Sequence, residues 1–181
     1  VDVSSSMYYP VENNGKLNFA LLAAASLAFM LQKQRDAVGL VAFTDKIVYQ
    51  SALKSTTSHL RELFTYFNEL LKQKSTLANT TLPEVLDQVS DNTHKRSLII
   101  VFSDFLESAD KKEALFNSLK HLKHNKHEIL LFHIADKKAE LDFEFEDRPY
   151  LFTDVETGEK IKLNPSQMRE EYIKSQNSYL I

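Results

Sequence analysis

Apolar residues along this chain fall into two kinds of run, and the alternation between them predicts an architecture. Residues 37–43, 98–102 and 129–132 are short, unbroken and rich in Val, Ile, Leu and Phe, the pattern of strands covered on both faces. Between them lie segments with helical spacing. Leu60, Leu63, Phe64, Phe67, Leu70 and Leu71 share one face of a helix over 59–72, and Leu115, Phe116, Leu119 and Leu122 one face over 113–124. Another helix opens near residues 80–83, with Pro83 early, where its missing N–H is harmless, and carries Val85, Leu86 and Val89 inward. Residues 47–49 read as an edge strand after a turn at 44–46, and 75–79 as a polar loop. Residues 16–33 are apolar on nearly every face, which predicts a helix buried on more than one side. That run is broken by Ser26 and falls short of the ~20 residues a bilayer requires, so no membrane contact is expected from it.

Strand and helix thus alternate as far as Ile134, which predicts an α/β fold. Its core is a mostly parallel, doubly wound sheet with helices on both faces. The tail changes character. Residues 150–153 and 161–163 flank a turn containing Gly158, a hairpin pattern. Asn164, Pro165 and Gln167 then give the cap signals of a last helix running through Tyr172. The acidic stretch 136–147 reads as a surface connection whose Leu141, Phe143 and Phe145 pack down. We expect one domain over residues 1–181, with a core of 1–135 and a C-terminal extension of 136–181.

Composition removes several functions. A net charge of −3 argues against nucleic acid or anionic membrane as a partner, since both select a basic face. The absence of cysteine excludes disulfides, thiolate zinc sites and cysteine nucleophiles, and fits the expected cytoplasmic location. Three glycines (Gly15, Gly39 and Gly158) cannot write a phosphate-binding loop, a dinucleotide fingerprint or a nucleophile elbow. No signal-peptide pattern is present. The chain starts without Met and with almost no strand ahead of Asp2. It is expected to be part of a longer protein and less stable than a longer version.

The candidate chemistry lies at the start. In Val1-Asp2-Val3-Ser4-Ser5-Ser6-Met7, Asp2, Ser4 and Ser6 alternate, so an extended loop would turn their oxygens to one side. A carboxylate and two hydroxyls form a donor set for a hard cation, Mg²⁺ or Mn²⁺. The same residues also suit a polar turn that caps a helix. What favours the metal is Asp104, which ends the strand 98–102, because ligands of open parallel sheets gather at the strands' carboxyl ends. Thr80 or Thr81, at a helix start, would add a hydroxyl, with Thr76 a more distant candidate. His121, His124 and His127 stand at three-residue spacing, but the end of a solvated helix explains them better than a metal does. Ser5 lacks a nearby base, and Ser4 stands where an aspartyl phosphatase needs a second Asp, so covalent catalysis is not expected.

Asp2-Val3-Ser4-Ser5-Ser6 resembles the D-x-S-x-S motif of von Willebrand factor A domains. Ser103-Asp104, Asn79-Thr80-Thr81-Leu82 and residues 38–45 resemble their second Asp, their metal-site Thr and the strand after their first helix. Through residues 2–7 with 16–20, 34–45 and 143–170, the chain is most similar to the bacterial domain-of-unknown-function 58 proteins. The resemblance implies a non-enzymatic protein-interaction module with a MIDAS-type Mg²⁺ or Mn²⁺ site. Ser4, Ser6 and Thr80 would then bind the metal directly, Asp2 and Asp104 through water, and a partner protein's carboxylate would complete the octahedron. It also implies work with a MoxR-type AAA+ ATPase in assembling or activating other proteins. Phe105 stands where that family commonly has Gly, a departure that would narrow the approach to the metal. Two alternatives use the same cluster: a Mg²⁺-dependent phosphohydrolase, or a scaffold that binds without metal.

Overall fold

The chain begins in an extended segment, residues 1–3, held on both sides. Val3 N donates to Phe43 O at 2.8 Å and Phe43 N to Val1 O at 3.1 Å, while Asp2 N donates to Phe102 O at 2.9 Å on the opposite edge. Asp2 and Phe43 form a parallel bridge. The structure, a computed structural model, describes residues 1–10, 14–73, 81–106, 111–154 and 158–179. It divides into two units, Val1–Ile134 and Ala135–Ile181.

In the first unit a 3₁₀ turn, Ser5–Tyr8, precedes α1 (Gly15–Lys33), β1 (Val41–Phe43), β2 (Ile47–Gln50), α2 (Thr57–Lys72), α3 (Leu82–Asn92), β3 (Leu98–Ser103), α4 (Lys112–His124) and β4 (Glu128–His133). The unit is mixed α/β, and its sheets are two-stranded: β1 pairs antiparallel with β2, and β3 parallel with β4 from Leu98↔Glu128 to Ser103↔His133. The core has two parts. Val1, Val3, Ala42 and Phe102 pack with Leu17 and Leu21 of α1 and Leu63 and Phe67 of α2. Phe43 and Val101 pack with Leu82, Val85 and Leu86 of α3 and Leu122 of α4. Ala42 and Phe43, like Val101 and Phe102, thus contribute to different parts, as successive strand residues must.

Several expectations change. The run 37–43 forms a strand only from Val41, because Leu40 N is taken by the Ser51 hydroxyl at 2.8 Å and Val38 makes an isolated bridge to Lys54. β4 is not buried on both faces: Leu130, Leu131 and Phe132 are exposed, and among the described residues β3 is the strand paired with it. Phe116 of α4 also faces outward. α1 buries one face only, through Lys16, Leu17, Ala20, Leu21 and Ala28, while Phe19 and Leu22 are each 61% exposed. At 19 residues α1 is also longer than the apolar run implied, long and apolar enough to cross a bilayer by length and composition alone.

α2 shows how local chemistry sets a helix end. The Thr56 hydroxyl accepts from His59 N at 3.3 Å, satisfying one of the donors that a helix start leaves open. Thr56→Ala should cost about 1 kcal/mol, read as a lower urea midpoint with an unchanged slope; no change would assign the cap to backbone alone.

The second unit contains a π-helical turn (Lys137–Leu141), the antiparallel pair β5 (Tyr150–Thr153) and β6 (Lys160–Leu163), and α5 (Pro165–Tyr179). The hairpin stands where the sequence predicted it, with Gly158 at φ +76° near its turn. α5 extends beyond the expected Tyr172. Phe143 is the hub: its ring stacks on Tyr172 at 4.3 Å and Phe152 at 6.0 Å, and meets Phe145 edge-on at 5.0 Å. Of the three residues expected to pack down, Leu141 instead stays exposed.

Candidate functional site

Asp2, Ser4 and Ser6 do converge, but through a turn rather than an extended loop. Met7 N donates to Ser4 O at 3.2 Å and Tyr9 N to Ser6 O at 3.1 Å, which curls the chain directly after Ser4. Met7, fully buried in the core with α1, anchors that curl. The Ser4 and Ser6 hydroxyls hydrogen-bond to each other, their oxygens 3.1 Å apart. Asp2 Oδ1 accepts from Ser4 N at 2.9 Å, and Asp2 Oδ2 accepts from the Ser103 hydroxyl at 2.6 Å. The Ser103 oxygen in turn accepts from Phe105 N at 3.0 Å, so the end of β3 is tied to the first segment through one side chain. Asp2 and Ser4 are completely buried.

Asp104 follows Ser103 and is equally withdrawn from solvent. Its Oδ2 accepts from Lys16 Nζ at 2.7 Å, and its Oδ1 from Leu106 N at 3.3 Å. Both side chains of the Lys16–Asp104 pair are 2% exposed. The helix that delivers Lys16 is placed by its neighbours. A Cβ at Gly15 would collide with Pro10 Cδ and the Tyr9 carbonyl oxygen, so only glycine lets α1 start this close to the turn. Asn14 Nδ2 donates to Leu71 O at 2.8 Å, pinning the same start against the end of α2.

Burial, with the charge of Asp104 second, pushes the Asp2 carboxyl up to about 6 from its ordinary 3.8; the hydrogen bonds from Ser103 and Ser4 act the other way. Phe105 adopts φ +52°. Its ring meets His133 edge-on at 6.1 Å.

Of the predicted metal residues, Asp2, Ser4, Ser6 and Asp104 lie at this one end of β3 and the first segment, whereas Thr80 and Thr76 lie outside the described residues. Thr81 is the residue before α3, its N–H donating to Thr44 O at 3.3 Å. The histidines do not assemble. His121 pairs with Asp87 at 3.0 Å and Asp91 at 3.6 Å, whereas His127 Nδ1 accepts from Ser97 N at 3.3 Å. Among the described residues no group of three or more His, Cys, Asp or Glu side chains could hold a metal. The candidate site offers two carboxylates, and the remainder of its oxygens are hydroxyls.

The donor set fits Mg²⁺ in one respect that can be measured. Neighbouring ligands of an octahedral Mg²⁺, at ~2.1 Å from the metal, stand ~3.0 Å apart, and the Ser4 and Ser6 oxygens are 3.1 Å apart. The Asp2 oxygens each already accept a protein hydrogen bond, which suits a water-mediated role. The cavity of about 1200 Å³ in this unit lies elsewhere, lined by residues such as Val1, Val38, Leu40, Ile100 and Phe102, and takes in none of the candidate residues.

Sequence reading missed Lys16 and the part played by Ser103. The signal for Lys16 was present. A cation in the first turn of a helix opposes the helix dipole, so an otherwise apolar helix that keeps one there needs an anion nearby.

Residues 1–179 match the family described as "Protein of unknown function DUF58", and the chain belongs to that family. No curated protein and no solved structure matches it significantly.

Proposed function

We propose that this chain is a divalent-metal-dependent protein-interaction module, built on a von Willebrand factor A-like, doubly wound parallel sheet. The fold part of this reading is supported by residues 1–3, which bond to Phe43 on one side and Phe102 on the other. It is supported also by the parallel β3–β4 pair and by a core divided between α1–α2 and α3–α4. The observation that carries the function is the meeting of the Ser4 and Ser6 hydroxyls beside two buried carboxylates. Ser4, Ser6 and Thr80 are the direct ligands of Mg²⁺ or Mn²⁺ in this reading, with Asp2 and Asp104 acting through water and a partner's carboxylate closing the shell. A MoxR-type AAA+ ATPase is the expected associate.

Metal binding to the folded chain alone should stabilise it by roughly 2.7 kcal/mol at a hundredfold excess over the dissociation constant. Melting curves of the chain in millimolar Mg²⁺ or Mn²⁺ should therefore shift upward. Asp2→Ala, Ser4→Ala and Thr80→Ala should remove most of the shift, and Thr76→Ala and His124→Ala should leave it. A titration that moves neither the melting curve nor the amide spectra of residues 2–7 and 104 would sink the reading. The Lys16–Asp104 pair favours a second reading, a scaffold that keeps its own cation and binds partners without metal; that same null titration would select it. Mg²⁺-dependent turnover of a phosphoester, lost in Asp104→Ala, would instead select a phosphohydrolase.

A further inference from the structure

We propose that the Lys16 ammonium is the built-in counter-ion of Asp104 and that a divalent cation enters the site by displacing it. This deepens the metal reading above and rests on it.

The Lys16 Nζ to Asp104 Oδ2 contact of 2.7 Å joins two side chains sealed from solvent, in the same cluster as the candidate ligands. Lys16 reaches this place from the first turn of a 19-residue helix, where its charge opposes the helix dipole. Gly15 and Asn14 fix the helix start, so the position is built rather than incidental. A metal that engages Asp104 through water must take over oxygen surface the ammonium now covers. An ammonium left beside the metal would be repelled strongly in so dry a setting. The partner able to yield is the lysine, whose four-carbon stem is flexible, whereas Asp104 is held through Leu106 N and the Ser103 turn. The exchange replaces one positive charge by two beside Asp2 and Asp104. It therefore discriminates against Na⁺ and K⁺, which bring no net charge over the one they evict.

The test has two arms. In calorimetric titrations at fixed ionic strength, Lys16→Met should bind Mg²⁺ or Mn²⁺ at least roughly tenfold more tightly than the wild-type chain, as expected for removing one opposed charge at a few ångströms. The wild-type chain itself provides the second arm, which does not depend on the variant folding. Acetic anhydride labelling read by mass spectrometry should find Lys16 protected in EDTA and labelled in saturating Mg²⁺, with exposed Lys33 and Lys123 labelled alike in both. Equal affinities in two folded chains, or a Lys16 that stays protected while the wild type demonstrably binds metal, would overturn the displacement and leave the metal reading standing. If neither chain binds metal, the metal reading fails and the displacement with it.

Discussion

Asp104→Ala should lower the stability of this chain by about 3–5 kcal/mol, the cost of removing one partner from a buried ion pair. The substitution takes away the carboxylate that Lys16 Nζ contacts and leaves the ammonium in a site 2% exposed. Packing contributes little to that loss, because the side chain removed is small. Replacing both members should behave differently. Lys16→Met combined with Asp104→Ala exchanges a buried charge pair for apolar volume, a change that is often neutral. Most of the single-variant loss should therefore return in the double variant. Urea midpoints of the four chains, taken in EDTA, decide this. A single-variant cost below about 1 kcal/mol would mean that the pair behaves like an exposed one.

The second large effect is the contribution of Asp2 to stability, which falls as the pH rises from about 4 to 6. The folded state holds the Asp2 carboxyl at about 6, against an ordinary 3.8. Between those values the folded chain binds more protons than the unfolded one, so stability decreases with rising pH, and above 6 the loss is complete. The size is about 3 kcal/mol, from ~1.4 kcal/mol for each pH interval of one. Asp2→Asn isolates it. The carboxamide retains an acceptor for Ser4 N, and the Ser103 hydroxyl can turn to accept instead of donate. The difference between the wild-type and variant stabilities should change by about 2 kcal/mol across pH 4–6 in metal-free buffer, the larger part of the full transition. Parallel curves would show that Asp2 is ionised in the folded chain throughout.

These two residues also mark how far the sequence could be read. Asp2, Ser4 and Ser6 were legible because their relation is local, since a spacing of two brings short side chains together in either an extended segment or a tight turn. Asp104 was legible because a strongly apolar strand announces the edge at which it ends. The hydroxyl of Ser103 and the ammonium of Lys16 act across separations of 101 and 88 residues, and no local pattern encodes those pairings. The apolar runs were legible as elements but ambiguous as to exposure. An unbroken run such as 129–132 fits a strand covered on both faces, yet Leu130, Leu131 and Phe132 remain open. The fully apolar look of α1 likewise concealed the fact that only one of its faces is packed. Periodicity reports which residues are alike, whereas coverage depends on which neighbours arrive.

Phe105 sets the mechanical character of the cluster. At φ +52° it occupies a backbone region that glycine enters freely and other residues rarely. Glycine would adopt this conformation without a steric penalty, whereas for phenylalanine it costs roughly 1–2 kcal/mol. The turn that presents Ser103 and Asp104 is therefore held against the local preference of its own next residue, by Phe105 N on the Ser103 hydroxyl and by the Phe105 ring against His133, so that the end of β3 stores strain which the surrounding packing opposes.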